Sequence, residues 1–266
     1  MTQTSNSMPV TIITGAAAGI GWATAQLLAA EGHRLSLLDL AGTQARARAE
    51  ELGPSHIGLA CDVASEADVG EAIARTLEQF GRIDVLVNNA GIGDQSAATV
   101  DQTTEGFDQV LRIHLRGTFL MCRAVAAHML ARKRGAIVNL SSIAGMAGIP
   151  GRNAYSAAKA GIAAMTRSMA CEWARGGIRV NAVAPGYTRT ALVEELEARY
   201  ALDTRSIAAR TPMGRLARPE EIAAVIAFLA SERASYVTGT TIHADGGWLA
   251  LGAPEDTLAP HGDRST

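Results

Sequence analysis

Residues 141–161 read SSIAGMAGIPGRNAYSAAKAG. The apolar run Ala136-Ile137-Val138-Asn139-Leu140 leads into Ser141-Ser142, and the stretch ends in an alanine-rich helical pattern that carries Tyr155 and Lys159. A short apolar strand followed by a helix is one βα unit. Residues four apart on a helix stand one turn above the other on the same face. A tyrosine, with a reference pKa of about 10, becomes a usable base when a cation is held within a few Å of its oxygen. Tyr155 also reads as an ordinary half-buried helix tyrosine and Lys159 as a solubilising charge. Composition favours the chemical reading: of 24 basic residues only Lys133 and Lys159 are lysine, so a lysine here is an unusual choice. A compact ammonium with three rotatable donors suits holding a phenolate and a ribose hydroxyl together better than a planar guanidinium does. Ser142, at the strand end, is placed to donate to a substrate oxygen beside the tyrosine.

Working toward the start of the chain, Val10-Thr11-Ile12-Ile13-Thr14 reads as a buried parallel strand. Gly15, Gly19 and Gly21 follow at once and open a helical pattern, which lets backbone amides approach a pyrophosphate at a helix N-terminus. A second strand, 34–38, ends in Asp39, where a carboxylate either accepts from adenosine ribose hydroxyls or caps the next helix. No basic residue lies within the glycine turn or directly after Asp39, so a 2′-phosphate finds no partner in sequence. Strands are also predicted at 56–60, 83–87, 178–184 and 240–244. Helices are predicted over 65–80, with Ser65 as cap, over 104–132 as one long amphipathic unit, and from Pro219 to Ala230. Residues 190–211 carry Leu192, Leu196 and Tyr200 at intervals of four, either a lid over the site or a plain surface helix. This lid is expected within about 187–215.

Alternation of strands and helices, with no internal repeat, predicts one doubly wound α/β domain with a mostly parallel sheet over 1–252 and a loose tail over 253–266. Apolar residues make up 48% of the 266, ample for one large core, and the net charge of −2 gives no reason to propose nucleic acid or an acidic membrane as partner. No run reaches the roughly 18 apolar residues a membrane span needs, and MTQTSNSMPV lacks the pattern of a signal peptide, so a cytoplasmic protein is expected. Cys61, Cys122 and Cys171 suggest neither a disulfide framework nor a zinc site, and no metal is expected.

The serine with Tyr-x-x-x-Lys thirteen residues later, the surrounding NAYSAAKAG, the Thr14-Gly15-x-x-x-Gly19-Ile20-Gly21 turn and Asn88-Asn89-Ala90-Gly91 together resemble the short-chain dehydrogenase/reductase family. The resemblance covers roughly residues 8–250. It implies a seven-stranded Rossmann-like sheet, a homotetramer or less often a dimer, and a catalytic set of Ser142, Tyr155 and Lys159. It places Thr14, Gly15, Gly19, Ile20, Gly21, Asn89, Ala90 and Gly91 at the cofactor, Asp62 and Val63 at its adenine, and Pro185, Gly186 and Thr188 at its nicotinamide. Where the family carries an asparagine in its helix irregularity, this chain has His114, in Ile113-His114-Leu115-Arg116-Gly117. An imidazole there either titrates between pH 5 and 8 and repels Lys159 or simply packs as a bulky substitute.

With Asp39, the resemblance implies an NAD(H)-dependent interconversion of a secondary alcohol and a ketone. A 3-oxoacyl-thioester reductase and a catalytically silent NAD(H)-binding sensor or scaffold are the alternatives. Candidate substrate-lining residues are Gly93, Asp94, Met146, Ile149, Tyr187 and Leu192. Arg152 pairs with a substrate carboxylate or is a surface arginine.

Overall fold

The structure, a computed structural model, describes residues 8–95, 97–198, 202–253 and 255–258. Seven strands form one sheet: β1 (Val10–Thr14), β2 (Arg34–Asp39), β3 (Ile57–Ala60), β4 (Val85–Asn88), β5 (Gly135–Leu140), β6 (Ile178–Pro185) and β7 (Thr241–Ala244). Their spatial order is β3-β2-β1-β4-β5-β6-β7 and every pairing is parallel. Side chains alternate between the two faces, as the two-residue period of a strand requires. Ile12, Leu86 and Ile137 enter one core cluster, and Ile13, Val87 and Val138 enter the other. The strands are therefore buried on both sides, which is why they read as apolar runs and not as alternating ones.

One face is covered by α1 (Gly19–Ala30), α2 (Gly42–Leu52) and α9 (Pro219–Ala230), through Leu28, Ala49, Ile222 and Ile226. The other is covered by α3 (Glu66–Phe80), α5 (Gly117–Arg132) and α6 (Asn153–Trp173), through Ile73, Met121, Val125 and Trp173. Ser65 caps α3 by accepting from the Asp68 amide. Emptying either core, for example by Leu86→Ala, costs about 2–5 kcal/mol.

The helix predicted over 104–132 is interrupted. α4 (Thr104–Leu111) passes into a π-turn, Arg112–Arg116, before α5. The predicted 190–211 segment is two short helices, α7 (Ala191–Ala198) and α8 (Thr204–Arg210), the latter started by Asp203 accepting from Arg205 and Ser206 amides. Tyr200 and the side chains of Leu192 and Leu196 lie outside the described residues, as does most of the 253–266 tail. No helix among the described residues is long and apolar enough to cross a membrane.

Because chain order reverses between β1 and β4, the helices leaving these two neighbours go to opposite faces and open a crevice at the carboxyl ends of the strands. Thr14, Asp39 and Pro185 are the last residues of β1, β2 and β6, and Ser142 follows the end of β5.

Candidate active site

Thr14 and Asn89 lock the crevice. The Thr14 hydroxyl accepts the Asn89 and Ala90 amides at 3.0 Å each, and the Asn89 side-chain amide donates to the carbonyls of Thr14 and Gly15 at 3.0 and 2.9 Å. Gly15 holds φ at 62°, and a Cβ on Gly21 would come within 2.1 Å of the Gly15 carbonyl oxygen, so the turn needs glycine at both positions. Thr14, 1% exposed, and Gly21 thus serve beneath the crevice and are not on its wall, unlike the position the resemblance implies for them.

The crevice consists of two adjoining cavities. One, of about 400 Å³, is lined by Gly15, Gly19, Asp39, Asp62, Val63 and Ala90 among others. The second, of about 410 Å³, is lined by Ile20, Ser142, Tyr155, Lys159, Pro185, Gly186 and Thr188 among others. Asn89, Gly91, Ile92 and Thr190 line both. A larger hollow, of about 890 Å³, opens at the opposite, amino end of the strands, where Asp84 is held by Arg82 and Arg132; none of the predicted site residues lines it. The carboxyl end is where open parallel sheets bind ligands.

At the first cavity, α1 starts with no side-chain cap on its N-terminus, leaving amide donors for an anion. Asp39 accepts from Ala17 at 3.1 Å and from Ala41, which begins α2, at 3.2 Å, so the carboxylate does act partly as a brace. Its remaining lone pairs still face the cavity it lines. A basic group reaches the turn after all: Arg48 comes from α2, stacks over the Trp22 ring at 4.4 Å and donates to the Ala17 carbonyl at 3.2 Å. Its distance in sequence hid it. The donor set and the uncapped helix fit a dinucleotide.

At the second cavity, Ser142 begins a 3₁₀ turn, Ile143–Gly145, and lines the wall together with Tyr155. The Lys159 ammonium is buried, 4% exposed, and donates to the Leu140 carbonyl at 2.8 Å. Burial alone holds its pKa down to about 7. Tyr155 is raised, chiefly by burial, with the Ser142 hydrogen bond and the Arg152 charge pulling the other way. The expected lowering of Tyr155 by Lys159 is therefore not found here: the ammonium is turned to Leu140, 5.4 Å from the ring centre.

His114 sits in the π-turn, 2% exposed, with its ring edge-on to Tyr155 at 5.2 Å. Nε2 lies 2.9 Å from the Ile92 carbonyl and 3.1 Å from the Ile92 amide, so either tautomer is tied to the same backbone unit. The ring fills the space above Gly91, where a Cβ would fall 2.2 Å from Cε1. Titration of His114 between pH 5 and 8 is overturned: burial first, then the Lys159 charge, push it down to about 3. His114→Asn should accordingly leave the acidic limb of the pH–rate profile in place and change kcat/KM by less than about tenfold, the scale of one neutral hydrogen bond. A displaced limb would contradict this.

Four positioning contacts were missed. Asp94 accepts the Tyr155 amide at 3.1 Å and so caps α6 from a distant loop. Ser141 donates to the Lys159 carbonyl at 2.9 Å. Under the site, Asn88 donates to Asn139 at 2.8 Å, and Asn139 to Thr166 on α6 at 2.9 Å, tying the sheet ends to the catalytic helix. A buried polar residue at the end of an apolar strand is the signal that marks Asn88 and Asn139; nothing marks Asp94. Of the proposed lining residues Gly93, Ile149 and Tyr187 do line the cavity, while Asp94 and Met146 do not.

The chain matches the family model described as Enoyl-(Acyl carrier protein) reductase over residues 15–249. It is 46% identical over 245 residues to the cis-4-hydroxycyclohexanecarboxylate dehydrogenase of Sinomonas cyclohexanicum, covering 91% of this chain and 97% of that one. It is also 46% identical to an uncharacterized short-chain type dehydrogenase/reductase of Sinorhizobium fredii, covering 92% of this chain but spanning only 44% of that longer protein. The crystal structure of levodione reductase superposes with a TM-score of 0.87 at 39% identity, covering 91% of this chain and 98% of that one. Motifs, strand order, site geometry and these likenesses agree: the chain belongs to the short-chain dehydrogenase/reductase family of oxidoreductases.

Proposed function

We propose that the protein is an NAD(H)-dependent oxidoreductase that interconverts a secondary alcohol and a ketone. The observation that carries this reading is the continuous crevice, with Asp39 and Asp62 at one end and Ser142, Tyr155 and Lys159 at the other. The bound nicotinamide supplies the hydride acceptor or donor. Tyr155 takes the carbinol proton at its phenolic oxygen in oxidation and returns it in reduction. Ser142 donates to the same substrate oxygen and fixes its position. Lys159 supplies a donor for a ribose hydroxyl. The α7–α8 segment, which puts Val193 and Leu202 on the cavity wall, excludes water from the reacting atoms. A screen of NAD+ reduction over secondary alcohols and hydroxy acids tests the reading; no turnover of any of them would count against it.

Cofactor choice is the second expectation. A carboxylate at Asp39 pairs with ribose hydroxyls and opposes a 2′-phosphate, so wild type should favour NAD(H) and Asp39→Ala should erode that preference by about tenfold. A wild-type preference for NADP(H) would show that Asp39 only braces the turn and that Arg48 takes the phosphate. That outcome would favour the 3-oxoacyl-thioester reductase reading. A silent sensor or scaffold is disfavoured by the intact Ser142, Tyr155 and Lys159.

The protein is further proposed to be a homotetramer built on the outer face of α4, α5 and α6. Ala126 on α5 and Ala163 on α6 are in the core and do not mark a surface. The better mark is a hollow of about 630 Å³ lined by Leu111, Leu115, Phe119 and Met165, with Glu105, Asp108, Arg112 and Arg116 also on its wall. An apolar patch rimmed by both signs of charge is self-complementary about a two-fold axis. Light scattering should give four chain masses; a monomer at micromolar concentration would contradict it.

A further inference from the structure

We propose that Arg152 is the anion-binding residue of the substrate cavity, and that the substrate is a hydroxy acid whose carboxylate meets the guanidinium while its carbinol meets Ser142 and Tyr155. The inference rests on the dehydrogenase reading above and gives that site its substrate class.

Three observations carry it. Arg152 lines the 410 Å³ cavity, and its charge acts on the Tyr155 phenol. Its side chain makes no hydrogen bond or ion pair with any described residue, whereas Arg48, Arg132, Arg134, Arg179, Arg210 and Arg215 each hold a partner. The charge is also misplaced for structure alone. Arg152 occupies the N-cap of α6, the positive end of the helix dipole, and supplies no capping hydrogen bond. That end is stabilised by Asp94, whose two oxygens are committed to the Gln95 and Tyr155 amides.

The cavity has the matching chemistry. Among the described residues that line it there is no Asp or Glu. Its other cation, Lys159, is turned to the Leu140 carbonyl, and His114 is held neutral across the working range. Ile92, Ile143, Ile149, Val193 and Leu202 line it beside the uncharged polar Asn89, Thr188 and Thr190, which suits a hydrocarbon body between the carbinol and the anion. A guanidinium meets a carboxylate with two parallel hydrogen bonds, fixing orientation as well as affinity.

The test is calorimetric binding to enzyme saturated with NAD+ or NADP+, using cyclohexanecarboxylate, benzoate and butanoate, each against its methyl ester. None has a carbinol to oxidise, so binding is read apart from turnover. At least one acid should bind about 10–100-fold more tightly than its ester, the scale of a charged hydrogen-bonded pair. Arg152→Ala should erase that difference, and Arg152→Lys should recover part of it. The proposal is overturned if every acid binds no better than its ester to wild type, or if Arg152→Ala keeps the preference. Neither result touches the dehydrogenase reading, which turnover of neutral alcohols tests separately. Absence of all turnover would sink that reading while leaving the acid–ester difference readable.

Discussion

Tyr155→Phe is expected to lower kcat by about 10²–10⁴-fold, the range that a positioned general acid or base contributes. The substitution removes one oxygen and keeps the ring, so the edge contact with His114 and the packing of α6 against the sheet remain. What disappears is the phenolic hydroxyl that shares the cavity wall with Ser142. Melting temperature and cofactor affinity should therefore stay close to wild type while turnover falls. Turnover near the wild-type level would require another group to carry the proton, and the adjoining candidates are poor ones. His114 is neutral with its Nε2 tied to Ile92, and Lys159 is turned to Leu140.

Lys159→Met should remove activity and stabilise the cofactor-free protein. The ammonium is buried with one carbonyl partner, and its pKa is held down to about 7 against an ordinary 10.5. Each unit of such a shift is worth about 1.36 kcal/mol, whereas the hydrogen bond to Leu140 returns only about 1 kcal/mol. The penalty wins, so an apolar chain of similar length should raise Tm at neutral pH.

The linkage has a definite sign. Below about pH 7 the folded and unfolded chains both hold the Lys159 proton, and the penalty is full. Between 7 and the ordinary lysine value the unfolded chain binds a proton that the folded one rejects, so this contribution to stability rises with pH. Chemical denaturation across that window should show the rise in wild type relative to Lys159→Met. Parallel curves would mean the ammonium is better solvated than its burial implies. The same substitution removes the donor for a ribose hydroxyl, and activity should fall by about 10²-fold or more. A protein that gains stability by losing this residue carries it for chemistry.

Much of the fold was legible because a parallel sheet buried on both faces leaves mainly apolar runs, and those of β1, β4, β5 and β6 lead into a glycine or a polar pair. The break in the 104–132 helix was not legible from periodicity, since a π-turn inserts one residue without changing the amphipathic pattern on either side. At the site, Tyr155 and Lys159 were readable as a pair because helix spacing is arithmetic, and the family resemblance joined Ser142 to them. Their electrostatics were not. The partner of Lys159 is a backbone carbonyl, and carbonyls have no letter in the sequence. Arg48 and Asp94 act across 31 and 61 residues, distances over which only the folded topology decides who meets whom. His114 was identified as the departure from the family pattern, yet burial, which sequence does not print, made it a packing and tethering group with no titration near neutrality.

The most direct test of the account follows an isotope. A secondary alcohol that the enzyme oxidises is labelled with deuterium at its carbinol carbon, and the reduced cofactor is analysed by mass spectrometry and NMR. Hydride transfer assisted by Tyr155 predicts one deuterium at C4 of the nicotinamide in wild type and almost none in the same time with Tyr155→Phe. Deuterium lost to solvent, or equal transfer by both proteins, would contradict the mechanism.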